Sequence, residues 1–558
     1  MTYRDNIIIF FLSLAVALSI ASFQSTPGYL DADYYYATGL QLVEGKGFTE
    51  PFLWNYLSDP VALPHPSHSY WMPLTSIFSA LGMWITRDIR FASAQIAFIL
   101  LSAFLPLITA KLAFSFSKRR DLSIISAIFA MLGGGYAPSL YTTDSFVIYM
   151  VLGGLFFLSL RVERLWLRAI ILGVLSALFH LTRADGTIWL IIALIALLML
   201  DKLDNKKKSV LEIGSLRMRL PRPTPSMLLS IVLVLSSYAL FILPWLFRNY
   251  GVFGTPLAPN GDQMLWLTSY EQIFSYPAGN LSINTWLSSG VIEIIKTRIW
   301  ALKQNLAVII VVQGGVVLLP FIIIGARYFF KKNSRSLQGV FSTDLAESSI
   351  NKKIVFMGVF AWLTTFVIMT LIFPFAGARG AFAHSGAALQ PLWWALAPIG
   401  LYCFVGWMAK KRKLRLEKVR YFFSNALIII FLFLTLGVLW VRVFSASALI
   451  KSEGSGIPLY TEIEEMISED DDISHATVIV ANPPAYFLAS GRFALAQPYG
   501  DIQTILAIAE RYNARFLILE EDYVVDGLKT VFNAPTEWEP LTFLGEVREA
   551  KIFLIERE

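Results

Sequence analysis

The chain has 558 residues, 56% of them hydrophobic and 15% charged, with a formal net charge of +6. Its mean hydropathy of +0.59 excludes an ordinary soluble globular protein, in which about a quarter of residues are charged. The basic residues sit between apolar runs, where they act as orientation signals and not as a nucleic-acid surface, and the single cysteine, Cys403, excludes a disulfide framework.

Apolar runs of about 17–25 residues recur from end to end, which predicts a polytopic α-helical membrane protein. About eleven transmembrane helices are expected, at roughly 7–23, 89–113, 121–137, 145–160, 168–181, 187–201, 226–247, 305–328, 353–374, 388–408 and 421–445. The first run follows Arg4 and ends on Ile20-Ala21-Ser22-Phe23, a poor cleavage site, so it reads as a retained span. Pro27 and Gly28 end it. Asp31 can then cap a new helix running to about Gly45, with Asp33 beside it in the first turn, where the helix dipole favours carboxylates. The stretch closes on His65-Pro66-Ser67-His68-Ser69-Tyr70-Trp71. Residues 66–88, with Phe78, Leu81 and Trp84, suit an amphipathic helix on the membrane surface.

The strongest basic clusters are Lys118-Arg119-Arg120, Arg161 to Arg168, Lys206-Lys207-Lys208 with Arg217, Arg219 and Arg222, Lys331-Lys332, and Lys410 to Arg420. With the N-terminus inside, all five fall on one side, which the positive-inside rule makes cytoplasmic. The other, extracytoplasmic side collects loop 24–88, the turn Tyr136 to Asp144, the turn Thr182 to Gly186, loop 248–304, loop 375–387 and everything after about Ser445. The chain thus divides into a transmembrane domain, 1–445, and a small extracytoplasmic α/β domain, 446–558. In that tail, 476–480, 515–519 and 550–555 read as strands and 501–512 as a helix. Asn482-Pro483-Pro484 marks the C-terminal edge of the first strand.

The extracytoplasmic face gathers the acids Asp31, Asp33, Asp144 and Asp185 with the bases His65, His68, Arg183, Arg248, Arg379 and His384. Ionisable groups at span ends are functional candidates. Gly133-Gly134-Gly135 precedes Asp144, and Gly377 and Gly380 flank Arg379; irregular backbone at membrane depth is tolerated where it lines a cavity. No phosphate-binding Gly-rich loop and no His-Glu-x-x-His metal motif is present. A sugar carried on a lipid phosphate suits this inventory. A carboxylate takes the proton of an attacking hydroxyl, arginine or imidazolium stabilises the departing phosphate, and aromatic rings stack on sugar.

With these residues the chain resembles the GT-C superfamily of polyprenyl-phosphate-sugar-dependent glycosyltransferases, in the group of protein O-mannosyltransferases and the lipid A aminoarabinose transferase. Members carry an Asp-Glu pair after the first span. Asp31 falls on that Asp, and Ala32 on the Glu, with Asp33 one place later. Members then carry Lys-Pro-Pro-x-x-Tyr-Trp, matched by His65 to Trp71 with His65 at the lysine. Asp144 resembles the second acidic position, and Thr182 to Gly186 an Arg-Pro-Glu-Gly turn. Pro244-Trp245 with Arg248-Asn249 resembles another recurring stretch, and Arg379 to Pro391 lies where many members carry an Arg-Tyr motif.

The resemblance implies an inverting single displacement. Asp31 would be the general base toward the acceptor, and Asp33 would orient it or bind the sugar. Asp144 would bind acceptor or sugar hydroxyls, His65, Arg183 and Arg379 would hold the lipid phosphate, and Tyr34, Tyr70 and Trp71 would line the site. His68, Asp185, Arg248 and His384 join them as substrate-binding candidates. No cofactor is required. A divalent metal is possible but not indicated. The expected partners are a polyprenyl-phosphate-linked sugar donor, a lipid, glycan or protein acceptor, and membrane lipids, with no nucleic acid. The expected location is a multi-pass position in a prokaryotic plasma membrane in preference to the endoplasmic reticulum. A transporter or flippase of lipid-linked sugars, and a ligase or polymerase of lipid-linked glycans, are the competing readings.

Overall fold

Long apolar helices and a six-stranded sheet determine the architecture. The computed structural model describes residues 1–201, 211–213, 216–218, 224–330, 349–445, 456–468, 476–536 and 538–556. The basic residues Lys206, Lys207, Lys208, Arg219, Arg222, Lys331 and Lys332 lie outside the described residues.

Among the described residues, seven helices are long and apolar enough to cross a membrane: Tyr3–Ala21, Phe91–Ser117, Leu165–Thr182, Pro225–Phe253, Ser349–Ile372, Gln390–Arg412 and Leu416–Phe444. Shorter apolar helices at Leu74–Thr86, Phe146–Ser159, Ala184–Leu200 and Leu319–Phe330 accompany them. The expected spans therefore divide into full-length and partial helices, because backbone breaks interrupt some apolar runs. Segment 121–137 is α-helical only over Arg120–Leu132 and continues as the tighter 3₁₀ turns of Gly134–Ser139. Gly133 and Gly134 take φ values of 73° and 59°, the left-handed region that ends helices. Segment 305–328 is broken as well. Helix Val291–Val308 widens into Ile309–Gln313, and Gly315 and Val316 separate it from Leu319–Phe330. Segment 375–387, read as a loop, is instead a chain of short helical turns, Pro374–Ala376, Gly377–Ala381 and Phe382–Ala387, kinked at Arg379 and Gly380.

Large apolar side chains such as Leu240, Phe247, Phe422, Phe433 and Trp440 face outward from the long helices, as lipid contact requires and water does not. Inside the bundle, aromatic rings interlock: Trp189 stacks on Phe179 with centroids 4.4 Å apart. The short helix Leu74–Thr86 exposes Leu81, Trp84 and Ile85.

The tail folds into a sheet whose order is Phe52–Leu53, Ala494–Ala496, Thr477–Val480, Ala514–Glu520, Ala550–Ile555, Leu541–Val547. The first four strands are parallel, and Ala550–Ile555 runs antiparallel to both of its neighbours, Ala514–Glu520 and Leu541–Val547. The helix expected at 501–512 forms over Ile502–Tyr512, with Asp501 accepting from the Thr504 N–H at 3.1 Å. One edge strand, Phe52–Leu53, comes from the first loop, so the sheet reaches across the boundary drawn at residue 446. Asn482 does not sit in a plain turn. It caps helix Pro483–Ser490, which packs on helix Leu30–Val43.

Candidate active site

Helix Leu30–Val43 starts immediately after Pro27-Gly28. Its N-cap is Tyr29, and no side chain caps it. This corrects the expectation that Asp31 is the cap: Asp31 lies inside the first turn, and its carboxylate is left free to face the rest of the site. Its Oδ2 stands 3.7 Å from His384 Nε2, and the side chain is 29% exposed. Among the described residues it accepts no hydrogen bond.

Asp144 is fully buried in the turn before helix Phe146–Ser159. Two neighbours lash that turn to the first loop: Thr142 Oγ1 donates to the Pro27 carbonyl at 2.9 Å and Thr143 Oγ1 to the Ala32 carbonyl at 2.7 Å. The carboxylate is held by three local donors. Tyr29 donates its hydroxyl to Oδ2, and the Ser145 N–H and hydroxyl donate to Oδ1.

His384 arrives on Phe382–Ala387. Its ring stacks on Phe146, centroids 3.8 Å apart and 16° from parallel. Nδ1 lies 3.0 Å from Ser145 Oγ and 3.6 Å from Asp144 Oδ1. Asp31, Asp144 and His384 each offer a ligand atom within 4.8 Å of the others, so three distant parts of the chain converge.

Desolvation, and then the nearby Arg183 charge, hold the His384 imidazole well below its ordinary pKa. It is neutral, so its contacts with the two aspartates are not ion pairs. Both carboxyls are raised. Desolvation leads for Asp31, the Asp144 charge adds to it, and Arg183 opposes. For Asp144 desolvation also leads, and the bonds from Tyr29 and Ser145 pull back. Two carboxylates with a neutral imidazole form a donor set that suits a divalent cation.

Arg183 follows helix Leu165–Thr182 in extended conformation, φ −152°. Its Nε donates to Asp185 Oδ1 at 2.9 Å, and Ser385 donates its hydroxyl to Asp185 Oδ2. Asp185 therefore ties Arg183 to the segment that carries His384. Arg379 sits over the Tyr270 ring, 4.4 Å from its centroid, and 3.7 Å from Glu271. Tyr70, half-buried against Trp54 at 5.2 Å, is within electrostatic reach of Asp31, Arg183 and Tyr270.

Other residues expected in the site lie behind it. Asp33 is fully buried and accepts from Asn482 Nδ2 at 2.9 Å. Tyr34 and Trp71 pack together at 4.3 Å, with Trp54 stacked on Trp71 at 4.2 Å. His65 lies 3.1 Å from Glu50 Oε1 and 3.1 Å from the Phe52 carbonyl. Burial pushes His65 down to about 4 and Glu50 up to about 8, so His65 is a neutral partner inside the loop and not a phosphate-binding cation. His68 is enclosed by Ser67 Oγ at 2.6 Å and Ser76 Oγ at 3.0 Å. Arg248 donates to the Ser67 and Phe48 carbonyls, both at 2.9 Å, with Trp245 beneath it. These groups brace the first loop.

The sequence reading missed Tyr29, Ser145, Ser385, Tyr270 and Glu271. Ser145 adjoins Asp144 and Ser385 adjoins His384, both already singled out, and that adjacency was the available signal; Tyr29 lies two residues before Asp31. Glu271 lies mid-loop with none.

No protein-family model matches the chain, and no curated protein sequence does. Among solved structures it is similar to the Archaeoglobus fulgidus oligosaccharyltransferase in the apo form, at 12% identity and a TM-score of 0.53, over 92% of this chain and 69% of that one. It is similar to ArnT from Cupriavidus metallidurans bound to undecaprenyl phosphate, at 11% identity and a TM-score of 0.51, over 98% of each chain. It is also similar to AglB from Archaeoglobus fulgidus in complex with an inhibitory peptide and a dolichol-phosphate, at 12% identity and a TM-score of 0.50, over 92% of this chain and 69% of that one. At such identities the likeness is one of fold: the chain shares the membrane-helix fold of these structures.

Proposed function

We propose that this protein is an integral membrane glycosyltransferase that moves a sugar from a polyprenyl-phosphate carrier to an acceptor on the extracytoplasmic side. The observation that carries the proposal is the meeting of Asp31, Asp144 and His384 beside Arg183 at the start of helix Leu30–Val43. The lipid phosphates named in the structures of ArnT and AglB support the donor class.

Asp31 is the part-exposed carboxylate with free lone pairs, so it accepts the acceptor's proton as that oxygen attacks the anomeric carbon. The bond from the anomeric carbon to the phosphate oxygen breaks, and its electrons leave on the lipid phosphate. Arg183 and Arg379 stabilise that charge. A single displacement from the face opposite the phosphate inverts the anomeric centre. Asp144, locked by Tyr29 and Ser145, raises the basicity of Asp31 by its charge. A divalent cation on Asp31, Asp144 and His384 would add positive charge beside the leaving phosphate.

The test is a donor screen on purified protein in lipid, reading release of polyprenyl phosphate with and without candidate acceptors, with Asp31→Asn alongside. Turnover by wild type and its loss in the variant support the proposal. Folded wild-type protein that turns over no donor, yet moves a lipid-linked sugar across vesicles, overturns it in favour of transport.

A further inference from the structure

We propose that Asn482, in the tail, is a positioning residue for Asp31. Its Nδ2 donates to Asp33 Oδ2 at 2.9 Å, which fixes the helical turn that aims Asp31 at Asp144 and His384. The inference rests on the glycosyltransferase reading of that site.

Residues two apart on a helix project about 200° from one another. Asp31 and Asp33 therefore leave opposite sides of one turn, Asp31 toward His384 and Asp33 toward the tail. That turn lacks a local lock. Its N-cap residue, Tyr29, makes no capping hydrogen bond, so its orientation depends on tertiary contacts. On one side Thr143 holds the Ala32 carbonyl. On the other, Asn482 holds Asp33.

Asn482 is itself immobilised. It follows strand Thr477–Val480, its Oδ1 accepts from the Ala485 N–H at 3.3 Å, and Pro483 and Pro484 fix the backbone after it. Strand Phe52–Leu53 joins the same sheet, and Phe52 meets Phe487 at 6.0 Å. The tail thereby grips the first loop at Asp33 and Phe52, and also at Tyr56, whose hydroxyl donates to the Ala496 carbonyl, and at Asp59, which accepts from the Tyr512 hydroxyl at 3.0 Å, and it transmits the rigidity of the sheet to Asp31.

The test uses the full chain in lipid and compares Asn482→Asp, Asn482→Ala, Asp33→Asn and the double variant Asp33→Asn/Asn482→Asp. Asn482→Asp sets two acceptors against each other, and the double variant restores one donor and one acceptor with roles exchanged. Asn482→Ala removes the donor without adding charge and serves if Asn482→Asp does not fold. Hydrogen exchange over residues 33–38 is expected to rise about tenfold or more in the Asn482 variants and to recover in the double variant. The kcat is expected to fall ~10–100-fold with the donor KM within about twofold, and to recover likewise. Unchanged exchange, or a rise that the double variant does not reverse, overturns the positioning role whatever the activity. Raised exchange with wild-type kcat overturns its link to the reaction and leaves the transferase reading standing. Wild-type protein that turns over no donor yet moves a lipid-linked sugar across vesicles overturns that reading, and exchange alone then decides whether Asn482 fixes the turn.

Discussion

Tyr29 donates its hydroxyl to Asp144 Oδ2, across 115 residues of sequence. The bond joins the residue that opens helix Leu30–Val43 to the turn that opens helix Phe146–Ser159, so the two acids of the site are held by one strut. Tyr29→Phe leaves a buried carboxylate oxygen short of a donor, a loss of ~1–3 kcal/mol. Turnover is expected to fall about tenfold or more, with the protein still folded. Steady-state kinetics beside a thermal melt in detergent check both parts.

Asp31→Asn keeps the shape of the side chain and removes the carboxylate proposed as the proton acceptor. General-base loss costs ~10²–10⁴-fold in rate. Donor binding, read by displacement of a labelled polyprenyl phosphate, is expected to stay within a fewfold of wild type. A variant that binds normally and turns over normally refutes the base assignment.

Asp185 orients Arg183 through the 2.9 Å bond to Nε. Arg183→Lys loses the planar fork that matches phosphate, and Asp185→Asn loosens it. Both variants are expected to raise the donor KM about tenfold, Arg183→Lys more than Asp185→Asn. Ser385→Ala, which removes the other contact to Asp185, is expected to act more weakly in the same direction.

Gly153 is where helix Phe146–Ser159 meets the segment after His384. A Cβ there would stand 1.8 Å from the Ala388 carbonyl oxygen. Gly153→Ala must push the two apart, and overpacking of this kind costs ~1–3 kcal/mol. The melting temperature is expected to drop. Turnover is expected to drop with it, because the Phe146–His384 stack lies on the same interface.

Glu520 is buried in the sheet and accepts from the Tyr460 hydroxyl at 2.6 Å. Desolvation pushes its pKa up from 4.5 to about 7. The folded state therefore binds more protons than the unfolded state between those values. The stabilisation is fully present below about 4.5, falls as pH rises, and is lost above about 7, an effect on the order of 3 kcal/mol. Hydrogen exchange of strand Ala514–Glu520, corrected for intrinsic rates, is expected to quicken across that range. Glu520→Gln is expected to flatten the dependence.

Much of this was legible in the sequence. Apolar runs mark helices because backbone groups in lipid must bond internally, and short β-rich apolar runs marked three strands of the tail. Asp31, Asp144, Arg183, Asp185, Arg379 and His384 were readable as candidates, since ionisable groups beside membrane helices need a reason to be there. The roles of His65, His68 and Arg248 were not readable. A histidine or arginine near a span end has the same sequence signature whether it meets a substrate or, as Arg248 does, two backbone carbonyls. The partial helices were also hidden, because wide turns and paired glycines interrupt a helix without interrupting its hydrophobicity.

The sequence by itself determined that the chain is a bundle of apolar helices with a β-containing tail and that its acids and arginines gather near span ends, because these follow from local hydrophobicity and residue type. Tertiary structure decided which acids meet. A helix turn sends Asp31 and Asp33 in opposite directions, and only the packing of the Asp144 turn, the His384 segment and the tail sheet around that turn settled which carboxylate faces the site and which is spent on Asn482.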